Sequence, residues 1–156
     1  MADLSTDQFA STVQQIGSGD GGSLKVLFGT VEVAAAQSAA DVINLFTMPV
    51  GFTPLFGRMV GDDIDTGTEA LEIDIGISGD ATKYLDSGVI TGDTIANEKI
   101  TVGISIPLQE ELMTVKPTEV TTATPVIATI TAAANAGGTG TITVWMAGVY
   151  KDPRVI

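Results

Sequence analysis

The residues best placed to do chemistry in this chain are carboxylates. Asp62, Asp63, Asp65 and Glu69, in the stretch GDDIDTGTE, set oxygen ligands at alternating positions, a pattern that could hold calcium. The stretch departs from an EF-hand loop, since its glycine is one place out and no bidentate glutamate follows at the required distance. A turn of solvated carboxylates between two strands is the simpler reading. Glu110 and Glu111 are adjacent, and Glu72 and Asp74 share one strand face, so either pair could in principle serve glycoside hydrolysis. Such a site needs a cleft walled by aromatic rings. The chain has one Trp, two Tyr and five Phe, most of them at core-like positions.

The absences are more decisive. The 156 residues include no histidine, no cysteine and seven Lys or Arg. This removes the usual acid and base near neutral pH, the thiol nucleophile and the soft metal ligands. Without histidine no Ser-His-Asp triad can form, and no lysine stands near a nucleophile-elbow motif. The glycine-rich pieces GSGDGGS and NAGGTGT lack the GK[ST] ending of a P-loop and read as a linker and a hairpin turn. We therefore expect no enzyme, no cofactor and no metal.

Net charge is −12. A surface this acidic repels nucleic acids and anionic membrane headgroups, so neither is an expected partner. Yet charged residues make up 17% of the chain and its mean hydropathy is positive, which points to apolar surface covered by another protein. The fold does not rest on disulfides. No stretch reaches the 18 or so apolar residues of a membrane helix, and the first residues lack the basic and apolar regions of a secretory signal. The expectation is a chain that stays, or is assembled, in the cytoplasm.

The elements that would position any site follow from periodicity. Residues 1–16 read as a short amphipathic helix, with Ser5 as N-cap, Gln8 completing a capping box, and Leu4 and Phe9 as a hydrophobic staple. Phe9, Val13 and Ile16 form its apolar stripe. Residues 17–23 are a flexible linker by composition, so 1–23 reads as an arm and 24–151 as the domain. Within the domain, 71–78 and 99–108 alternate with period two: Leu71, Ile73, Ile75 and Ile77 on one face, Glu72, Asp74, Gly76 and Ser78 on a solvated one. Further strands are expected over 24–35, 42–48, 55–61, 125–133 and 140–150. Short helical turns are expected near 80–86 and 109–114, and a loop or helical turn over Ala34–Ala40. Seven or eight short strands separated by turn signals predict an all-β fold, a β-sandwich of either jelly-roll or immunoglobulin-like topology.

The strand at 140–150 carries large apolar residues on both faces, so it is either central or covered by a partner. Candidate partner-binding residues are Leu4, Phe9, Val13 and Ile16 on the arm, Trp145 at mid-strand, and Val155 and Ile156 in the tail 152–156. Arg58 belongs with them as an intersubunit contact, or else pairs with an acidic neighbour in its own chain.

Three stretches in order, VEVAAAQSAADVINLFTMPVGF, LEIDIGISGDATKYLD and TPVIATITAAANAGGTGTITVWMAGVY, resemble small virion structural proteins of tailed bacteriophages, in particular head decoration (capsid cement) proteins. The resemblance spans roughly residues 30–150 and leaves out the N-terminal arm. It implies a β-sandwich on the outer surface of a phage head, often a homotrimer, that staples neighbouring subunits of the major capsid protein. It carries over no catalytic residue. Two alternatives remain: another virion component, such as a head-fibre or tail base domain, and a carbohydrate-binding β-sandwich module. The latter requires exposed aromatics on one sheet face or in the loops, where the sequence offers Phe52, Phe56 and Tyr84.

Overall fold

The fold is described from a computed structural model over residues 3–5, 23–33, 38–61, 71–86, 104–108, 117–133 and 140–151. Nine strands run through these residues: β1 (Asp3–Ser5), β2 (Ser23–Val33), β3 (Val42–Met48), β4 (Phe52–Gly61), β5 (Glu72–Ile77), β6 (Asp80–Leu85), β7 (Ile104–Pro107), β8 (Thr124–Ala132) and β9 (Gly140–Tyr150). They form two sheets, ordered β1-β3-β8-β5-β6 and β2-β9-β4-β7.

The order is that of one long antiparallel hairpin rolled onto itself. β2 pairs with β9, β3 with β8, β4 with β7 and β5 with β6, each pair nested within the one before. Lateral pairing of β9 with β4 and of β8 with β5 then joins the pairs into sheets. This is a jelly roll, and it decides between the two sandwich topologies that the sequence left open. At the innermost tip, Ile77 pairs with Asp80 across the two-residue loop Ser78-Gly79. Gly79 has φ of 89°, a conformation that a side chain would strain.

Alternate residues of both sheets meet in one core. Leu27 and Val31 of β2, Met59 of β4, and Ile142, Val144 and Met146 of β9 belong to the same buried cluster as Ile43 and Met48 of β3, Ile73 and Ile75 of β5, and Val126, Ala128 and Ile130 of β8. Each such side chain contributes about 1.5–3 kcal/mol on burial, so the core is the main stabilising term. Gly57 lies where β4 crosses this core. A Cβ there would sit 2.5 Å from the Trp145 carbonyl oxygen and 2.8 Å from Leu108 Cδ1.

Several expectations are corrected. Residues 80–86 are not a helical turn: the tight loop returns the chain antiparallel to β5, and Tyr84 and Leu85 become buried on β6. The Tyr84 hydroxyl donates to Met48 Sδ at 3.8 Å. The outer side of β5 is not solvated along its length. Asp74 on the interior strand β5 is buried, and Gly76 is covered by the β6 backbone at Asp80 and Ala81. Leu4 and Ser5, expected as a staple and a cap, lie in β1, which pairs in parallel with β3 and sets Leu4 opposite Ile43. The rest of the expected helix, the linker up to residue 22, the turn at 109–114, the strand before residue 104 and the tail 152–156 lie outside the described residues. Of the Ala34–Ala40 segment, Ser38–Ala40 forms a turn closed by the buried Asp41, whose Oδ2 accepts from the Ser38 amide at 3.0 Å.

Because the atom facing Gly57 is backbone, Gly57→Ala should lower the free energy of unfolding by about 1–3 kcal/mol. Urea denaturation checks this: the midpoint falls while the slope stays that of the original chain.

Candidate docking surface

The site is built by β-pairing and one irregularity in β4. Phe52 and Pro54 face the core, as do Gly57, Met59 and Gly61, so the alternation changes phase between them. The cause is a bulge at Leu55, where the register with β9 shifts between Pro54 and Phe56. Beyond the bulge, Phe56, Arg58 and Val60 face outward and are exposed.

The outer face of the four-stranded sheet is thereby apolar in consecutive rows. Leu24, Val26 and Phe28 of β2 lie opposite Val149, Ala147 and Trp145 of β9. Across β9, β4 sets Thr53, Phe56 and Arg58 opposite the same three residues. The next row is Thr30, Thr143 and Val60, and the Thr30 and Thr143 hydroxyls share a hydrogen bond of 2.9 Å. Trp145 is half-buried at the centre, with Phe56 edge-on to it at a centroid distance of 6.0 Å and 85° between planes.

These side chains stand in solvent: Leu24 is 60% exposed, Val26 56%, Phe28 49% and Phe56 48%. Among the described residues, all the exposed large apolar side chains except Val50 belong to this face. The outer face of the other sheet differs. Its rows are Val42, Thr129 and Asp74, then Asn44, Ile127 and Gly76, all buried or half-buried. The apolar face is thus a property of one sheet.

Of the residues expected to bind a partner, the structure brings together two, Arg58 and Trp145, which are directly opposed across β4 and β9. Leu4 is on β1 at the edge of the other sheet. Phe9, Val13, Ile16, Val155 and Ile156 lie outside the described residues. Sequence reasoning missed Leu24, Val26, Phe28 and Val60, and named Phe56 only as an aromatic near a loop. The alternation of Leu24, Val26 and Phe28 was a signal for them, but Leu27 and Val31 gave the opposite phase large apolar residues as well. Phe52 and Tyr84 are buried, so Phe56 is the one of the three loop aromatics that reaches solvent.

The acidic residues that could do chemistry form no comparable grouping among the described residues. Among the described residues, no group of three or more acidic side chains is placed to hold a metal; the Asp62–Glu69 cluster and Glu110–Glu111 lie outside them. A cavity between β3, β6 and residues 117–124 is lined by Met48, Pro54, Tyr84 and Val120, with Lys83 and Glu119 as its charged residues. Lys83 Nζ lies 3.9 Å from Asp80 Oδ2, a partly exposed pair of little energetic weight.

The chain shares its fold with chains of two bacteriophage capsids. One, from the cyanophage Pam1 capsid asymmetric unit, is 24% identical with a TM-score of 0.67, over 90% of this chain and 94% of that one. The other, from the capsid of Ralstonia phage GP4, is 20% identical with a TM-score of 0.66, over 97% of this chain and 99% of that one. No protein-family model and no curated protein matches the sequence.

If the outer face contributes little to the fold of the isolated chain, Phe28→Thr should change the unfolding free energy by no more than about 0.5 kcal/mol. Met146→Ala, its neighbour on the inward side, should cost about 2–5 kcal/mol. Paired denaturation curves of the two variants separate the faces.

Proposed function

We propose that this protein is a virion structural component of a tailed bacteriophage: a decoration, or cement, protein on the outer surface of the head. In this reading it ties together neighbouring subunits of the major capsid protein. The observation that carries the reading is the end-to-end likeness of fold to chains of two phage capsids, with nearly all of both chains matched in each case. The resemblance of the three sequence stretches to decoration proteins and the exposed apolar outer face support the same role.

The protein acts by binding alone. Its partners are the major capsid protein and further copies of itself, grouped in threes on the head, and it is assembled in the host cytoplasm. Contacts to several neighbouring subunits add through effective concentration, so each can be modest. Phe9, Val13 and Ile16 near the N-terminus, and Val155 and Ile156 in the tail, serve as additional apolar arms.

One observation favours a second reading. Phe28, Trp145 and Phe56 place aromatics on a single sheet face, as a carbohydrate-binding module requires. The perpendicular planes of Phe56 and Trp145 oppose it, because they offer a sugar ring no common flat platform.

Electron cryo-microscopy of heads assembled with and without this chain tests the proposal. Difference density should lie on the outer surface in three-fold clusters. Density at the tail or on a fibre would assign the chain to another virion component. Because the contact surface is mainly apolar, raising salt from about 0.1 to about 0.5 M should weaken attachment less than about tenfold, measured by co-sedimentation with heads. Complete release at moderate salt would mean an electrostatic attachment.

A further inference from the structure

The apolar outer face of the β2-β9-β4-β7 sheet is the largest feature that the fold itself leaves unexplained. Its exposed members, Leu24, Val26, Phe28, Phe56 and Val60, form no part of the core. Their rows are held by continuous pairing of β2 to β9 and by the pairing of β4 to β9 on both sides of the Leu55 bulge, so the surface is pre-formed before any partner arrives. We infer that this face, centred on Trp145, is the surface that seats the chain on a capsid subunit, against an apolar patch of that subunit. The inference rests on the decoration reading above and adds the contact surface to it.

Size and charge choose the occupant. The rows from Leu24 to Thr30 run about 20 Å along the strands and about 15 Å across them, an area on the order of 300 Å². A stable pair of proteins needs about 800 Å² on each side. A second copy seated here would therefore be held by less than half of the usual contact, and the net charge of −12 on each copy opposes a pair formed through this face alone, away from the lattice that groups copies in threes. A capsid subunit does not face the first limit. Its lattice offers neighbouring sites, so a small rigid patch on one subunit acts together with contacts on the next.

The position of the face fits a broad, flat partner. Leu24, Val26 and Phe28 stand on β2, the edge strand of their sheet among the described residues, so the apolar rows run to the border of the sheet. Polar groups frame them. Arg58 lies beside Trp145, the Thr30–Thr143 pair follows in the next row, and Glu32 is opposite Thr141 beyond it. An apolar centre with a polar frame is the ordinary anatomy of a protein–protein contact, with Trp145, Phe28 and Phe56 as its anchors.

The test uses the full chain and heads of the encoding phage assembled without it. Co-sedimentation compares the original chain with Val26→Asp/Phe28→Asp, with the uncharged Phe28→Ser/Phe56→Ser, and with Thr131→Asp on the exposed part of the other sheet. Thermal unfolding of each variant runs alongside. Both variants of the apolar face should keep their melting temperature within a few degrees and bind heads about tenfold more weakly or worse. Thr131→Asp should bind as the original chain does. Equal binding by the face variants would place the contact elsewhere and overturn the inference while leaving the decoration reading intact. Failure of the original chain to bind heads would remove that reading and this inference with it. Two other outcomes also overturn the inference. Solution oligomers that dissociate in the face variants would make a second copy the occupant. A melting temperature lowered by many degrees in both variants would mean that the chain covers the face with its own residues.

Discussion

Everything in this molecule depends on β9 being paired along both edges. Eleven residues of β2 and most of β4 are registered against it, and each sets the inward and outward assignment of its neighbours. Because both flanks are occupied, the β9 backbone needs no water, and the strand can be apolar on both sides. Its inward residues, Ile142, Val144 and Met146, anchor the core, while Ala147 and Trp145 on the outward side anchor the exposed rows. One strand thus anchors the core with one face and the exposed apolar rows with the other.

The two sheets divide the labour for a physical reason. The β1-β3-β8-β5-β6 sheet places Asn44, Thr129 and Asp74 outward beside the half-buried Val42 and Ile127, and presents no large exposed apolar side chain among the described residues. The other sheet presents five. An apolar sheet face beside an edge strand invites aggregation, and the high negative charge of the chain counters it by keeping copies apart. Acidity and an apolar face are complementary in this sense. The charge sets the conditions under which the face can stay exposed without joining copies of the chain.

The β4 bulge shows how little sequence is needed to direct such a face. One extra residue, Leu55, separates a segment that sends Phe52 and Pro54 inward from one that sends Phe56 and Arg58 outward. The glycines that follow make room on the inward side. At Gly57 the backbone of β9 and the side chain of Leu108 come too close for any Cβ. Aromatic display outside and tight packing inside are two results of the same local register.

Much of this was legible in the sequence. Period-two alternation gave the all-β class and most strands, the paired turn residues gave the breaks between them, and the two-sided apolar character of 140–150 marked the central strand. The absence of histidine and cysteine was enough by itself to remove whole classes of chemistry. What the sequence could not decide was which face of a two-sided strand turns inward, since over residues 24–31 both phases carry large apolar residues and alternation fixes only that the faces differ. Nor could it decide the nesting of strands. The innermost strand, β6, is too polar and short to announce itself, and it exists because β5 supplies its partner across a two-residue loop. Local residues set the period and the turns. The choice of faces, the burial of Asp74 and the assembly of Leu24, Val26, Phe28, Phe56 and Trp145 into one surface come from pairing between residues far apart in the chain, and only the tertiary structure fixes that pairing.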